Sequence, residues 1–154
     1  MRGKNVTENR RDLPQLLNDA RRWFEEGLLA ALAADGVPPV TPTQVQLFAA
    51  LDEDGTTVSE LARRMGVTRQ TAHQAVRALV DAGLLEQAPA PTSGRQRPIR
   101  RTPQGKSAHE RARHALDHLE TTLTDRIGSA PMAALRSALE APWGEPPTGP
   151  AGRG

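Results

Sequence analysis

The chain has 154 residues, 37% of them hydrophobic and only 3% aromatic, with 20 Lys and Arg against 18 Asp and Glu. That length fits one domain-sized unit whose core is built from Ala, Leu and Val. It has no cysteine, which excludes disulfides and thiol redox chemistry, and no apolar run near the ~20 residues that span a bilayer, so a cytoplasmic location is expected.

Residues 1–11 have no apolar signal core and read as a flexible N-terminus. Asp12 is placed to cap a first helix that starts with Leu13-Pro14. Leu13, Leu16, Leu17, Ala20, Phe24, Leu28 and Leu32 recur at helical spacing up to Asp35-Gly36, which predicts a helix within residues 12–36. Residues 37–40 contain two prolines and form a linker. Thr41 caps a second helix, with Pro42 at its first position and Gln44 completing a capping box. Leu47, Phe48 and Leu51 face the core of that helix.

Residues 57–85 carry the most information. Thr57 and Glu60 make a T-x-x-E capping box, in which the hydroxyl accepts from the N3 amide and the glutamate returns to the cap amide. Val58, Leu61, Ala62 and Met65 form one apolar stripe. Gly66 follows where a left-handed turn suits glycine, Val67 plugs the turn, and Thr68 caps the next helix. In that helix Ala72, Ala75, Val76 and Leu79 fall on one side, and Arg69, Gln70, His73, Gln74 and Arg77 on the other. Gly83 is its expected stop. Two short helices across a tight turn are a helix-turn-helix, whose second helix enters the DNA major groove. Arginine can fork onto guanine O6 and N7, and glutamine onto adenine N6 and N7. An amphipathic helix with a solvated polar face has the same pattern, and the segment that follows weighs against that reading.

Residues 84–88 are a short apolar-to-polar run, residues 89–98 read PAPTSGRQRP, and Ile99, Arg100, Arg101 and Thr102 come next. Pro, Thr, Ser and Gly between two short extended runs predict a hairpin. Arg95 and Arg97 stand at its tip, where they can reach phosphates or the adjacent minor groove. Between Glu60 and Arg101, eight arginines (63, 64, 69, 77, 95, 97, 100 and 101) face three acidic residues, so this window is +5 and the rest of the chain −3. Basic charge gathers where the DNA-facing elements are expected.

Residues 103–127 predict a long helix, with Ala108, Ala112, Ala115, Leu116, Leu119, Leu123 and Ile127 along one side and Gly128 at its end. Ser129-Ala130-Pro131 opens a last helix carrying Met132, Leu135 and Leu139. Residues 142–154 are rich in Pro and Gly and read as a flexible tail, with Trp143 anchoring its start. The apolar stripes of the first helix and the last two exceed what a small winged core can cover. A two-fold homodimer covers them and sets two recognition helices roughly 34 Å apart over a palindromic site.

From about Pro42 to Gly105 the chain resembles the MarR family of winged helix-turn-helix transcriptional regulators. The matching pieces are TPTQVQLFAAL (41–51), the 57–85 stretch, the wing, and RRTPQG (100–105), in which Thr102-Pro103-Gln104-Gly105 reproduces the family's Thr-x-x-Gly. The family's wing commonly has an aspartate two residues before a key arginine. Ser93 stands at the aspartate position and Arg95 at the arginine position, so the arginine role carries over without that partner. The resemblance implies a regulator, most often a repressor, that binds a small acidic or aromatic effector between its dimerisation helices and its DNA-binding lobe.

The expected fold is mainly α with a small β-hairpin, a winged helix-turn-helix core flanked by N- and C-terminal dimerisation helices. Residues 12–36 form a dimerisation helix, 41–102 the DNA-binding lobe and 103–141 further dimerisation helices. Thr68, Arg69, Gln70, Thr71, His73, Gln74, Arg77, Arg95 and Arg97 are the expected DNA contacts. Trp23, Phe24, Leu28 and Phe48 are candidates for an effector pocket. His114 and His118 stand at i and i+4, with His109 and Asp117 nearby, but no His or Cys of the first two helices completes a zinc set, and no metal or cofactor is expected. With no Tyr, no Cys, no Gly-rich phosphate loop and no spacing for a Ser/His/Asp arrangement, the chain does not read as an enzyme. The function expected is a dimeric, sequence-specific DNA-binding transcriptional regulator, a repressor relieved by a small ligand. The alternative is a winged-helix module that acts through protein–protein contacts without sequence-specific DNA binding.

Overall fold

The computed structural model describes residues 10–89 and 97–149. In chain order it contains α1 (Leu13–Ala34), α2 (Pro42–Ala50), α3 (Val58–Met65), α4 (Arg69–Asp81), β1 (Leu85–Gln87), β2 (Ile99–Arg101), α5 (Pro103–Ile127) and α6 (Ser129–Glu140). The strands pair antiparallel, with Leu85 opposite Arg101 and Gln87 opposite Ile99. The architecture is the expected mainly α one with a single small hairpin among the described residues.

Local chemistry sets the helix ends. Asp12 accepts from the Gln15 amide at 2.9 Å and Gln15 accepts from the Asp12 amide at 3.3 Å, a full capping box where the sequence suggested only a cap. Thr41 and Gln44 make the same reciprocal pair at 3.3 and 3.0 Å. At α3 only one arm forms. Thr57 Oγ1 accepts from the Glu60 amide at 3.3 Å, but the Glu60 carboxylate turns to Arg63 and Arg64. Two guanidinium partners offer charge-assisted bonds stronger than one neutral amide can. Gly83, at φ +75°, ends α4. Its amide donates to the Val80 carbonyl and the Leu84 amide to the Leu79 carbonyl, both at 2.9 Å, which is the Schellman pattern.

The core lies where α2, α3, α4 and the hairpin meet. Leu47, Leu61, Leu79, Leu84 and Leu85 are fully buried, with Ala72, Ala75, Val76 and Ile99 beside them. Leu28 and Leu32 of α1 and Ala108 of α5 join this cluster. A third extended segment, absent from the sequence reading, flanks the hairpin: Thr56 and Ile99 exchange two backbone hydrogen bonds of 2.9 Å. Thr56 is buried, and its hydroxyl accepts from the Asp52 amide at 2.9 Å.

Two arginines finish the end of α2. Arg64 donates to the Ala50 carbonyl at 2.8 Å and forks onto Asp52 with two bonds of 2.9 Å. Arg101 donates to the Phe48 and Leu51 carbonyls at 2.6 and 3.2 Å and lies over the Phe48 ring. Cations at a helix C-terminus satisfy its unbonded carbonyls and oppose the negative end of its dipole.

The start of α5 is locked onto the turn after α4. Thr102 Oγ1 donates to the Gly83 carbonyl at 2.6 Å and accepts from the Gly105 amide at 3.0 Å. A Cβ on Gly105 would stand 2.0 Å from the Leu84 carbonyl oxygen. The Thr-x-x-Gly spacing therefore places one hydroxyl between two backbones and removes the side chain where they touch.

The chain divides into two compact units, residues 1–119 and 120–154. In the first, the outer half of α1 leaves Leu13 and Leu16 exposed, and α5 leaves Leu116 exposed. In the second, α6 has no buried residue, and Ile127, Leu135, Leu139 and Trp143 are exposed. There Arg136 pairs with Glu120 at 2.6 Å, and the Trp143 indole donates to the Ala138 carbonyl at 2.8 Å.

Two outcomes test this account. Gly105→Ala is expected to destabilise the protein by about 3 kcal/mol, because backbone rather than a flexible side chain must move. A urea midpoint equal to that of the wild type would show that the contact has slack. Arg63 first, then Arg64, holds the Glu60 carboxyl down from 4.5 to about 2. A folded value below the unfolded one contributes stability above pH 4.5 that is lost as pH falls toward 2. Glu60→Gln is therefore expected to flatten the loss of stability over that acid range, read as urea midpoints at matched ionic strength. Parallel acid profiles for the two proteins would remove Glu60 from the acid response.

Candidate nucleic-acid interface

Helix α4 rests on its neighbours through Ala72, Ala75, Val76 and Leu79, all buried. Two of these are alanines, so α4 approaches its neighbours closely while its opposite face stays clear. Thr68, Arg69, Gln70, Thr71, His73, Gln74 and Arg77 are all exposed. Thr68 and Thr71 serve the N-terminus of the helix: Thr68 Oγ1 accepts from the Thr71 amide at 3.1 Å, and the two hydroxyls lie 2.9 Å apart. Among the described residues, Arg69, Gln70, His73, Gln74 and Arg77 have no side-chain hydrogen bond or ion pair.

Arg69, Gln70, His73 and Arg77 line a cleft between α4 and the hairpin, and Arg97 lines its other wall. Val58, Val76, Val80 and Ile99 line the same cleft. Thus the structure brings Arg97 to the same cleft as the four α4 residues. Arg95 and Ser93 lie outside the described residues.

The +5 window separates into two populations. Arg63 and Arg64 pair with Glu60, Arg64 also with Asp52, and Arg100 pairs with Glu86 at 2.8 Å. Arg101 holds α2 carbonyls. Arg69, Arg77 and Arg97 enter no ion pair among the described residues. The available positive charge is therefore narrower than the sequence window, and it sits on the cleft. The Arg64 hydrogen bond to Asp52, more than any other contact, keeps that carboxyl below its usual range.

Beneath α4 lies an apolar cavity of about 90 Å³. Leu28 and Leu32 of α1, Phe48 of α2, Leu79, Leu84 and Ala108 form much of its wall. Of the four residues expected to line a pocket, Leu28 and Phe48 stand on it. Trp23 and Phe24 do not line it, and pack edge to face with their ring centres 4.9 Å apart. His109 and Arg113 of α5 also reach this cavity, and periodicity did not single them out because their spacing is that of a solvated face. Burial, followed by the charges of Arg101 and Arg113, holds the His109 imidazole below its usual value. His114 and His118 are exposed, and among the described residues no group of three or more His, Cys, Asp or Glu side chains is placed to hold a metal ion. No helix among the described residues is long and apolar enough to cross a membrane.

Residues 39–96 match the sequence model of the MarR family. No curated protein matches the chain. Among solved structures, the apo form of wild-type MarR from Escherichia coli superposes with a TM-score of 0.70 at 19% identity, over 86% of this chain and 97% of that one. CouR, a transcriptional repressor solved on a 23-mer DNA duplex, gives a TM-score of 0.68 at 27% identity, over 83% and 89%. A MarR family protein of Mycobacterium tuberculosis, solved with salicylic acid, gives 0.64 at 26% identity, over 86% and 96%. Residues 39–96 thus match the MarR family, and they lie within a fold that this chain shares over 83–86% of its length with these winged helix-turn-helix structures.

Proposed function

We propose that the protein is a homodimeric, sequence-specific DNA-binding regulator, a repressor that leaves a palindromic operator when a small ligand occupies the cavity beneath α4. The observation that carries this reading is the free polar face of α4. Five side chains able to bond bases or phosphates stand exposed on one helix without protein partners among the described residues, while other arginines of the same lobe are held in ion pairs. A helix whose polar face merely faced solvent would have little reason to keep guanidinium and amide groups apart from the nearby carboxylates. Gln70, His73 and Gln74 would read base edges, with Arg69. Arg77, Arg95 and Arg97 would hold phosphates or the minor groove. CouR on its DNA duplex supports the same use of the fold.

Dimerisation would use the exposed apolar residues of α1, α5 and α6. A ligand would act by volume. Binding pockets for organic molecules are typically ~300–1,000 Å³. The cavity here is about 90 Å³, so an entering ligand must displace its wall. That wall includes Leu79, on the buried face of α4, and Leu84, just after it. Displacing them would move the recognition helix. The Mycobacterium tuberculosis relative solved with salicylic acid supports a small organic acid as ligand.

Selection of bound fragments from genomic DNA with the purified protein is expected to return one palindromic motif. On that motif, Gln70→Ala should relax preference at one base position by ~1–3 kcal/mol, whereas Arg97→Ala should weaken all sequences and reduce the salt slope by about one. No enrichment over random DNA would remove the regulator reading in favour of a protein-binding module. Leu135→Asp combined with Leu139→Asp is expected to give monomers in sedimentation and to abolish binding to the palindrome. A double variant that stays dimeric would place the interface elsewhere.

A further inference from the structure

The edge of α4 that faces the hairpin is not uniformly basic. Arg69, His73, Arg77 and Asp81 recur every four residues, which sets them in one ridge along the helix. All four line the cleft between α4 and the hairpin. The ridge begins with a cation and ends with a carboxylate. Among the described residues that line the cleft, Asp81 is the single acid. Gln87, at the end of β1, adds no charge to the cleft. Gln87 stands opposite Ile99 in the ladder, so Arg97 on the other wall lies two residues nearer the hairpin tip.

Asp81 does not serve its own helix. It is the last residue of α4, where the negative end of the helix dipole disfavours an anion, and no basic residue in that turn offsets it. Arg77, four residues earlier, makes no ion pair with it, and among the described residues the exposed Asp81 carboxylate has no hydrogen bond. A charge that opposes both its helix end and the sign of its cleft breaks two local rules, and residues of that kind gather at functional sites.

We propose that Asp81 is a specificity-determining residue: its carboxylate repels a backbone phosphate seated at the C-terminal end of α4, and so weakens binding to unrelated DNA more than binding to the operator. The inference rests on the DNA-binding reading given above and adds to it a residue that acts by repulsion. The first residues of a recognition helix are the ones that reach base edges. At 1.5 Å per residue, Asp81 lies about 18 Å along the axis from Arg69, beyond a groove ~12 Å wide and ~8.5 Å deep, and so meets backbone rather than bases. Non-specific binding is essentially all electrostatic, so a backbone would slide over a uniformly basic cleft at little cost. Asp81 disfavours the registers that bring a phosphate beside it. In the operator complex the base bonds of Arg69, Gln70 and His73 hold a register in which phosphates meet Arg77 and Arg97 instead. Repulsion between exposed charges is screened beyond about 8–10 Å at moderate salt, so this discrimination fades as salt rises.

The test compares the full-length wild type, Asp81→Asn and Glu26→Gln by fluorescence anisotropy from about 50 to 300 mM sodium chloride. Two duplexes are used, the motif returned by fragment selection and a scrambled sequence of the same length and composition. Glu26 is exposed on α1 and does not line the cleft, so its variant removes the same charge elsewhere. Asp81→Asn is expected to bind the scrambled duplex several-fold more tightly than the wild type does, and the motif at most about twofold more tightly. Its salt slope on the scrambled duplex should steepen by up to about one. Its urea midpoint should equal or exceed that of the wild type, since the change relieves the helix dipole. Glu26→Gln should leave the ratio of the two affinities unchanged. Equal tightening on both duplexes, or the same change of ratio in both variants, would show a net-charge effect and overturn the proposal. Weaker binding of Asp81→Asn to the motif alone would make the carboxylate a direct contact and overturn it as well. In those outcomes the wild type still prefers its motif, and the DNA-binding reading stands. If selection returns no motif, or the wild type binds both duplexes alike, that reading falls and this inference falls with it.

Discussion

The end of α2 is the point to which the DNA-binding lobe is tied. Its last carbonyls are left open by the helix, and Arg64 from α3 and Arg101 from β2 both bond them. With only 3% aromatic residues, the chain has few large side chains to fill gaps between elements. Arginine supplies what is missing, because a planar fork can hold a carboxylate and a carbonyl together while its stem covers apolar surface. Through Arg64, α2 is joined to Asp52 and Glu60, so the relation of α2 to α3 is fixed on the side away from the leucine core. Through Arg101, α2 is joined to the wing. Helix α4 packs into the frame these contacts hold.

That frame explains why one face of α4 can remain empty of partners. Its support comes from Ala72, Ala75, Val76 and Leu79 below, and from the turn at Gly83 whose carbonyl receives the Thr102 hydroxyl. Among the described residues, Arg69, Gln70, His73, Gln74 and Arg77 above make no side-chain hydrogen bond or ion pair with the rest of the fold. The same frame places the apolar cavity against the rear of the helix, with Leu79 shared between the helix and the cavity wall. Under the proposed function, volume change on one side and base contact on the other would meet in a single element of thirteen residues. A packed core moves between discrete arrangements rather than yielding gradually, which suits such an element to switching.

Much of the fold was legible along the chain. Asp12, Thr41, Thr57 and Thr68 stand at the helix starts they were expected to cap, and Gly66 and Gly83 take positive φ where the helices stop. These are local signals, set by a few neighbouring residues, so the sequence contains the whole argument. Glu60 broke the pattern, since Arg63 and Arg64, three and four residues further on, outcompeted the cap amide for its carboxylate. The Thr56–Ile99 bridge left no trace because one bridge has no periodicity. For the candidate site, the polar face of α4 followed from helical geometry, whereas the place of His109 and Arg113 on the cavity depends on α2 lying beside α5, which no spacing shows.

The sequence by itself determined the elements, their ends and the face of α4 that carries arginine, glutamine and histidine. It did so because helix periods and caps act over three or four residues, and those distances are the same along every chain. Only the tertiary structure decided that Arg64 reaches Asp52, Arg100 reaches Glu86 and Arg101 reaches the α2 carbonyls. Arg63, Arg64, Arg69 and Arg77 are chemically alike and close in sequence, yet the first two meet carboxylates and the last two do not. That division is partly local, since Glu60 stands three and four residues before Arg63 and Arg64, and partly tertiary, since Asp52 and the Ala50 carbonyl reach Arg64 only in the fold. Charge summed along a window cannot contain it, because pairing at about 3 Å is a property of folded neighbours.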